Sequence, residues 1–521
     1  MNNKKICFIT CVNNEEMYQE SVLYIKNLLL PQDFEIEFIA IHDAACMTKA
    51  YNQAMQKSDA KYKVYLHQDV FIVNKNFILY ILDIFAENDQ IGMIGIAGTE
   101  KMPTSAYWWK SKIKVQHVSV YDNASGKMCN INDSNCEEKY ARVAVIDGLV
   151  MVTQYDILWR EDIFDGWHFY DMSQSIEFAK RGYQVVVPNQ LEPWCIHDCG
   201  VLDIDKVYDA YRNVFLDEYS AYLFPLVSIL IPTYNRSEYF RIALESAINQ
   251  TYRNIEVIIC DSSSNEETTK IIEPYLKDSK VTYLHDRNIR TKEENLQKLK
   301  VLARGDYINW LMDDALFDCN KITAMMQIYL EHDEVSLVTS HCPIIDAKGE
   351  PIESFAKLDC EQTSSFDGRK IGKKMLLTMA NFIGDPTTVL IKRDLLDEHY
   401  RNTDSLRYKM ISDVAMWLEL LAKGRMVYIA EDLSSCRKHE QYSMNTVLLS
   451  RIEWFELIKE AYEIGYFIEN IDEYRRALSH LLTDSVEVLE AVEALKPEVD
   501  QKRHTQYIKI LLEAKAVFNE I

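Results

Sequence analysis

Glycine and proline are scarce in this chain, 15 and 11 of its 521 residues. That excludes collagen-like and low-complexity readings. It leaves the composition of a soluble globular protein, 48% hydrophobic and 26% charged. No Gly-rich loop with a following Lys or Arg stands near the N-terminus, which argues against a nucleotidyltransferase. No stretch approaches the roughly 20 apolar residues of a membrane span. Met1-Asn2-Asn3-Lys4-Lys5 runs straight into Ile6-Cys7-Phe8-Ile9-Thr10 without a signal-peptide cleavage pattern. Basic side chains are also short in number, 57 Lys and Arg against 80 Asp and Glu, for a net charge of −23. Such a field argues against nucleic-acid partners and against docking on an anionic membrane by charge alone. An anionic substrate would need a local metal or a few basic residues to offset it.

The 12 cysteines are scattered. A chain of this size needs no disulfide framework, so a reducing cytoplasm is the expected compartment. Cys195-Ile196-His197-Asp198-Cys199 hints at zinc, but a fourth ligand is missing and alternation along one strand makes poor tetrahedral geometry.

Strand and helix patterns alternate from the start. Residues 6–10, 35–42 and 62–71 read as strands, 15–30 and 45–58 as helices, the mark of a parallel, doubly wound α/β sheet. Residues 100–140 are polar, aromatic-rich and irregular; in them Trp108 and Trp109 either stack on sugar faces or anchor a loop. After a helical stretch at 203–222 the alternation begins again. Strands are expected at 227–232, 255–261, 281–285 and 307–312, and helices at 239–250, 265–276 and 292–303. Beyond 447 the pattern is purely helical, with Trp454, Leu457, Ile458 and Ala461 on one face. The expected division is a domain at 1–202, a helical linker at 203–224, a second domain at 225–446 and a helical extension at 447–521.

This restart is a repeat at domain scale. Each half opens with a strand ending in Asn (Asn13, Asn235) and has a second ending in Asp (Asp43, Asp261). A third ends in an acid after a polar residue (Gln68-Asp69, Asp313-Asp314). Each closes with an Asp and a His, Asp171 with His197 and Asp413 with His439, both pairs 26 residues apart. Open α/β sheets hold ligands at the C-terminal ends of their strands. Carboxylates there suit a hard divalent cation that bridges to a diphosphate. Asp314, with Asp313 beside it and no cationic substitute adjacent, would hold Mg²⁺ or Mn²⁺. Asp261 could accept hydrogen bonds from a nucleoside, with Thr233, Tyr234 and Asn235 in the same crevice. Asp413 opens the helical stretch 413–422, a place for a general base acting on an acceptor hydroxyl. His439 could complete the metal shell or touch a phosphate.

The segments Val-Ser-Ile-Leu-Ile-Pro-Thr-Tyr-Asn-Arg at 227–236, Ser-Ala-Ile-Asn-Gln-Thr-Tyr at 246–252 and Asp-Ser-Ser-Ser-Asn-Glu-Glu-Thr at 261–268 come first. Ala-Arg-Gly-Asp-Tyr-Ile at 303–308, Met-Asp-Asp-Ala at 312–315 and Ser-Asp-Val-Ala-Met-Trp at 412–417 follow. Through them, residues 225 to about 445 resemble the family 2 inverting glycosyltransferases of GT-A fold, most closely the spore-coat-polysaccharide type. The resemblance implies nucleoside binding by Asp261, metal binding by Asp314 and acceptor activation by Asp413. Met312 and Ala315 depart from members with further acids there, which implies modest metal affinity.

Residues 1 to about 200 resemble, more distantly, the glycosyltransferase-like domain of streptomycin-biosynthesis-type proteins. Ala50-Tyr51-Asn52, Tyr65-Leu66-His67-Gln68-Asp69-Val70-Phe71, Gly166-Trp167-His168-Phe169-Tyr170-Asp171 and Pro193-Trp194-Cys195-Ile196-His197-Asp198-Cys199-Gly200 carry that likeness. There the usual Asp-x-Asp becomes His67-Gln68-Asp69. That leaves Asp69 with His197 for a metal, Asp171 as base, and Asn13, Asp43 and Asn52 on the donor side.

The resemblances together imply two tandem GT-A domains, Rossmann-like with mostly parallel sheets, and a helical extension. The implied activity is that of a bifunctional, metal-assisted, inverting hexosyl- or N-acetylhexosaminyltransferase. Its donor would be a nucleotide sugar, a UDP-sugar foremost, and its acceptor a glycan or glycosylated protein, met at a membrane by peripheral association only. The alternative is one active C-terminal transferase with a non-catalytic first half that binds the acceptor or serves as scaffold.

Overall fold

The computed structural model describes residues 1–122, 125–133, 138–198, 206–354, 358, 360–401, 407–438, 443–495 and 499–519. The chain divides into two compact units, Met1–Leu223 and Phe224–Ile521. Among the described residues, no helix is long and apolar enough to cross a membrane.

The first unit is built on the strand Asn2–Val12, whose Ile6, Cys7, Phe8 and Ile9 are buried, as in a strand covered on both faces. Its sheet runs Glu35–His42, Asn2–Val12, Ala60–Leu66, Val150–Thr153, Ile91–Gly95, Gln184–Pro188, Tyr140–Arg142. The first three strands are parallel, as are Ile91–Gly95 and Gln184–Pro188; Val150–Thr153 runs antiparallel between the two sets. The strand expected over 62–71 is two strands, Ala60–Leu66 and Val70–Ile72, with His67, Gln68 and Asp69 at the break. Val70–Ile72 belongs to a second sheet, which also contains the hairpin Lys114–Asp122 and Lys127–Asn132 inside the segment expected to be irregular. Lys127–Asn132 is exposed throughout, so no apolar alternation marks it. The expected linker is the helix Lys206–Leu223, and it packs on the first unit: Phe215 meets Phe169 with ring centroids 5.1 Å apart, and the Tyr219 and Ser173 hydroxyls are 2.8 Å apart. Residues 203–205 lie outside the described residues.

In the second unit the order is Val281–His285, Ile255–Asp261, Val227–Thr233, Tyr307–Trp310, Ile391–Lys392, parallel except for the last. Val335–His341, Arg425–Asp432 and Ser364–Asp367 form a three-stranded sheet, and Leu316–Phe317, Ser434–Arg437, Pro343–Ile345 and Pro351–Ser354 a four-stranded one. The tail is helical as expected: Met444–Ile464, Ile471–Ala494 and Gln501–Asn519. Its Trp454, Leu457, Ile458 and Ala461 share one core with Trp310 and Trp417, so the extension is part of this unit's hydrophobic interior rather than an appendage.

Candidate active sites

At the C-terminal strand ends of the second unit a cleft of about 1240 Å³ opens, lined by Thr233, Tyr234, Asp313, Asp314 and Asp413 among others. Register explains the convergence. Leu230 pairs with Trp310, so the chain leaving Tyr307–Trp310 turns beside the exit of Val227–Thr233. Tyr234 donates its backbone N–H to Asp313 Oδ2 (3.4 Å). Burial, and then the charge of Asp314, pushes the Asp313 carboxyl up to about 6.

One expectation is corrected here. The acid pair does have a cationic neighbour: Arg236 Nη1 bonds Asp314 Oδ2 and lies 3.5 Å from Asp313 Oδ1. Arg287, Arg290, Lys292, Arg437 and Lys438 line the same cleft. Arg437 also donates from Nε to the Asp314 carbonyl (3.3 Å). Six basic side chains thus line one cleft of an acidic protein; besides Arg236, two of them are paired with acids, Arg287 with Glu266 and Lys438 with Glu353. The start of the helix Lys292–Leu302 is held by a capping box between Thr291 and Glu294, which fixes the segment carrying Arg290 and Lys292.

Asp261 is not on the cleft wall. It is fully buried, with Oδ1 accepting the Ser263 N–H and Oδ2 the Tyr283 hydroxyl, both at 2.8 Å. It therefore holds the turn of Ser262, Ser263 and Ser264, and those serines face the cleft. Asn235, at φ 54°, braces that turn too, its Oδ1 accepting the Ser264 N–H at 3.1 Å. His439 lies outside the described residues.

Asp413 stands in the first turn of the helix Ser412–Leu421, half-buried, with Oδ1 accepting the Val414 N–H (2.9 Å). Burial pushes its carboxyl up to about 6. The approach to this helix is fixed by a residue that sequence reasoning missed. Glu453, buried on Met444–Ile464, accepts the N–H groups of Lys409, Met410 and Ile411 at 2.9, 2.8 and 3.1 Å. An acid in the middle of an apolar helical face was the available signal. Asp385, also on the cleft wall, was missed as well.

In the first unit, His67, Asp69 and His197 bring ligand atoms within 4.8 Å of one another. Antiparallel pairing of His197 with Val70 explains the approach. His197 Nε2 is 3.6 Å from Asp69 Oδ1, and His67 Nε2 is 2.6 Å from the Tyr170 hydroxyl. Burial would raise Asp69, but His197 and then His67 outweigh it and hold the carboxyl below its ordinary value. His67 was missed because it was read only as the loss of an acid. Asp171 is buried on the helix Tyr170–Lys180; burial, then the charge of Asp147, pushes it up to about 7. Trp108 anchors its loop by donating from Nε1 to Asp147 Oδ2 (3.2 Å).

The donor-side residues fare differently. Asn13 and Asn14 both donate backbone N–H groups to Gln68 Oε1 at 2.9 Å, and Asp43 is exposed at φ 53° just beyond Glu35–His42. Asn52 is a correction. It is buried, with Nδ2 donating to the Trp159 carbonyl (3.0 Å) and Oδ1 accepting the Trp159 N–H (2.9 Å), so its amide clasps a loop and is closed to a donor. Cys199, of the set that hinted at zinc, lies outside the described residues.

Each α/β unit has acids at its strand ends, and each matches a glycosyltransferase family model. Residues 7–219 match the family described as Glycosyltransferase like family, and residues 228–399 match Glycosyl transferase family 2. The chain belongs to the family 2 glycosyltransferases of GT-A type, with two such domains in tandem. It is 29% identical over 236 residues to an uncharacterized glycosyltransferase of Rickettsia typhi, covering 45% of this chain and 70% of that protein. It is 28% identical over 200 residues to the UDP-Glc:alpha-D-GlcNAc-diphosphoundecaprenol beta-1,3-glucosyltransferase of Escherichia coli, covering 38% and 71%. Among solved structures, S. aureus TarS 1–349 in complex with UDP aligns at 14% identity and a TM-score of 0.41, over 56% of this chain and 80% of that one.

Proposed function

We propose that this chain is a bifunctional, inverting glycosyltransferase that takes sugars from UDP-sugar donors and adds them to a glycan or glycosylated-protein acceptor. The observation that carries the reading is the cleft of the second unit, where Asp313, Asp314 and Asp413 meet six basic side chains. The E. coli relative, by its name, uses UDP-glucose as donor and a diphosphoundecaprenol-linked acceptor, which favours a UDP-hexose here.

In the second unit Arg236, Arg287, Arg290 and Lys292 draw in the diphosphate, and the serine turn held by Asp261 and Asn235 receives the nucleoside. Asp314, with Asp313, offers the hard oxygen ligands that suit Mg²⁺ or Mn²⁺, with Arg236 yielding Asp314 Oδ2. A bound ion there supplies Lewis-acid neutralisation of the leaving diphosphate. Asp413 takes the proton of the acceptor hydroxyl as that oxygen attacks the anomeric carbon from the face opposite the leaving group, which inverts the configuration. A base held near 6 is ionised at neutral pH, so the second unit's rate rises as pH rises through about 6 and levels off above it. In the first unit His67, Asp69 and His197, two imidazoles and a carboxylate, would hold a divalent ion such as Mn²⁺, and Asp171 takes the base's place.

The test sets Asp413→Asn against Asp171→Asn in the full chain and reads product mass. Loss of a general base costs roughly 10²- to 10⁴-fold in turnover. One variant is expected to stall at the bare acceptor and the other at an acceptor carrying one sugar. An Asp171→Asn enzyme that makes the wild-type product at the wild-type rate would leave the second unit as the only transferase, with the first binding the acceptor.

A further inference from the structure

The cleft of the second unit contains a carboxylate with no part in the steps above. Asp385 sits half-buried on its wall, in the electrostatic reach of Asp314, Asp413 and Lys292. The loop that carries it is braced at position after position. Asn381 Oδ1 accepts the N–H groups of Ile383 and Gly384 at 3.0 and 3.1 Å, and the Gly384 carbonyl accepts the Trp417 indole N–H at 3.0 Å. Gly384 lies at φ +98°, and a Cβ there would meet Thr388 Cγ2 at 2.7 Å, so the turn requires glycine. Beyond it, the buried Lys321 donates from Nζ to the Thr388 carbonyl (3.0 Å), and Asn309 Nδ2 to the Thr387 carbonyl (3.1 Å). This is the support a binding group needs to be held in one place.

A carboxylate accepts about four hydrogen bonds. The fold gives Asp385 the Thr387 N–H (2.8 Å, to Oδ1) and a contact with the Cys436 thiol. Among the described residues this leaves acceptor capacity on a side chain that lines the cleft. Asp314 marks the diphosphate end and Asp413 the attacking hydroxyl, and in a transfer reaction the group between those two is the sugar being moved.

We infer that Asp385 accepts hydrogen bonds from ring hydroxyls of the donor sugar and so selects which hexosyl group the second unit transfers. This rests on reading the cleft as a nucleotide-sugar site. It adds the residue that distinguishes one sugar from another, whereas the acids and bases already described act on the phosphate and the acceptor.

The experiment is calorimetric titration of the full chain, carrying Asp69→Asn to quiet the first unit, with UDP, UDP-glucose, UDP-galactose and UDP-N-acetylglucosamine in Mn²⁺. The same titrations are made with Asp385→Asn and Asp385→Glu added. UDP affinity is expected to stay within about two-fold in both, which also certifies the fold. The advantage of the preferred UDP-sugar over UDP is expected to fall about 10- to 100-fold in Asp385→Asn, the range for a hydrogen bond to a charged group. Asp385→Glu, with its carboxylate moved by one methylene, should reorder the three sugars. If Asp385→Asn weakens UDP and UDP-sugars by the same factor, or changes neither, Asp385 is not a sugar ligand. If the parent chain binds none of the four, the nucleotide-sugar reading itself falls, and this inference with it.

Discussion

In the first unit the strand Ala60–Leu66 runs into His67, Gln68 and Asp69; in the second, Tyr307–Trp310 runs into Leu311, Met312, Asp313 and Asp314. The middle residues do the same work. Gln68 Oε1 takes the backbone N–H groups of Asn13 and Asn14, and Asp313 Oδ2 takes that of Tyr234. Each thereby ties the acidic corner to the exit of the unit's first strand. The flanking chemistry differs. The first unit surrounds its single carboxylate with two imidazoles, whereas the second sets an arginine against its two carboxylates. One backbone frame thus carries two ways of managing negative charge. The difference teaches that the frame is set by backbone-to-side-chain bonds, while the ligand chemistry rests on residues that arrive from elsewhere in the chain, His197 in one unit and Arg236 in the other.

The sharpest way to break this comparison is to ask each corner for a metal directly. Tyr170→Phe removes the hydroxyl bonded to His67 and leaves the three ligands in place. Loss of such an orienting partner typically weakens metal binding 10- to 100-fold. Titration with Mn²⁺ followed by electron paramagnetic resonance, in a chain carrying Asp314→Asn to silence the second corner, reads it. The mirror experiment is Arg236→Gln in a chain carrying His197→Ala. Freed of the guanidinium, Asp313 and Asp314 are expected to bind Mn²⁺ more tightly. If Tyr170→Phe changes nothing, Tyr170 does not orient a metal ligand, and if Arg236→Gln weakens binding, Arg236 supports the acidic corner instead of competing with the ion.

Much of this arrangement was legible in the sequence, and the limits have physical reasons. Ile255–Asp261 falls where its apolar run places it, because a strand covered on both faces writes a continuous hydrophobic segment; the edge strand Val281–His285, buried only at Val281, also falls where expected. The acids at strand ends stand out for the same reason, as polar residues that close apolar runs. Asp385 did not stand out, since Gly384-Asp385-Pro386 has the composition of an ordinary turn. Asn52 was misassigned because an amide facing a loop from a helix looks, in sequence, like an amide facing a ligand. Arg236 ended a motif that was read for Thr233, Tyr234 and Asn235, and its reach to Asp314 is a property of the folded corner alone.

A smaller effect separates the two candidate bases. Burial and Asp147 push Asp171 up to about 7, whereas Asp413 is held at about 6. For an acid with its folded value raised, the stabilising contribution is complete below the unfolded value near 3.9. It is lost as pH rises through the folded value, because the unfolded chain releases its proton first. Asp171→Asn should therefore leave stability near wild type at pH 4 and raise it increasingly up to about pH 7, by on the order of 1–3 kcal/mol. Asp413→Asn should do the same over a narrower window that closes near pH 6. Thermal melts across pH 4 to 8 read both, and a gain for Asp171→Asn that does not grow with pH would mean that its carboxyl is not held neutral in the fold.

The smallest expected effect concerns how each base is carried. In both units a helix that follows the sheet in sequence secures the helix bearing the acid. In the first, Tyr219 of Lys206–Leu223 bonds Ser173 and lies 3.2 Å from Glu177 Oε1; in the second, Glu453 of Met444–Ile464 collects three backbone amides ahead of Asp413. The two devices are not equal. A hydroxyl that reaches Ser173 and donates to the Glu177 carboxylate ties side chains together, worth about 1–2 kcal/mol, while a carboxylate meeting three amides adds several charged bonds and fixes backbone. Tyr219→Phe should therefore lower stability by about 1 kcal/mol and leave first-unit turnover unchanged. Glu453→Gln keeps one accepting oxygen but turns an NH₂ group toward amides that themselves donate. It should cost somewhat more in stability and slow the second unit several-fold at an unchanged donor KM, since the loop that delivers Asp413 loosens while the phosphate-binding side of the cleft stays intact. Equal losses of stability with no change in turnover in either variant would show that these helices support the fold without positioning the bases.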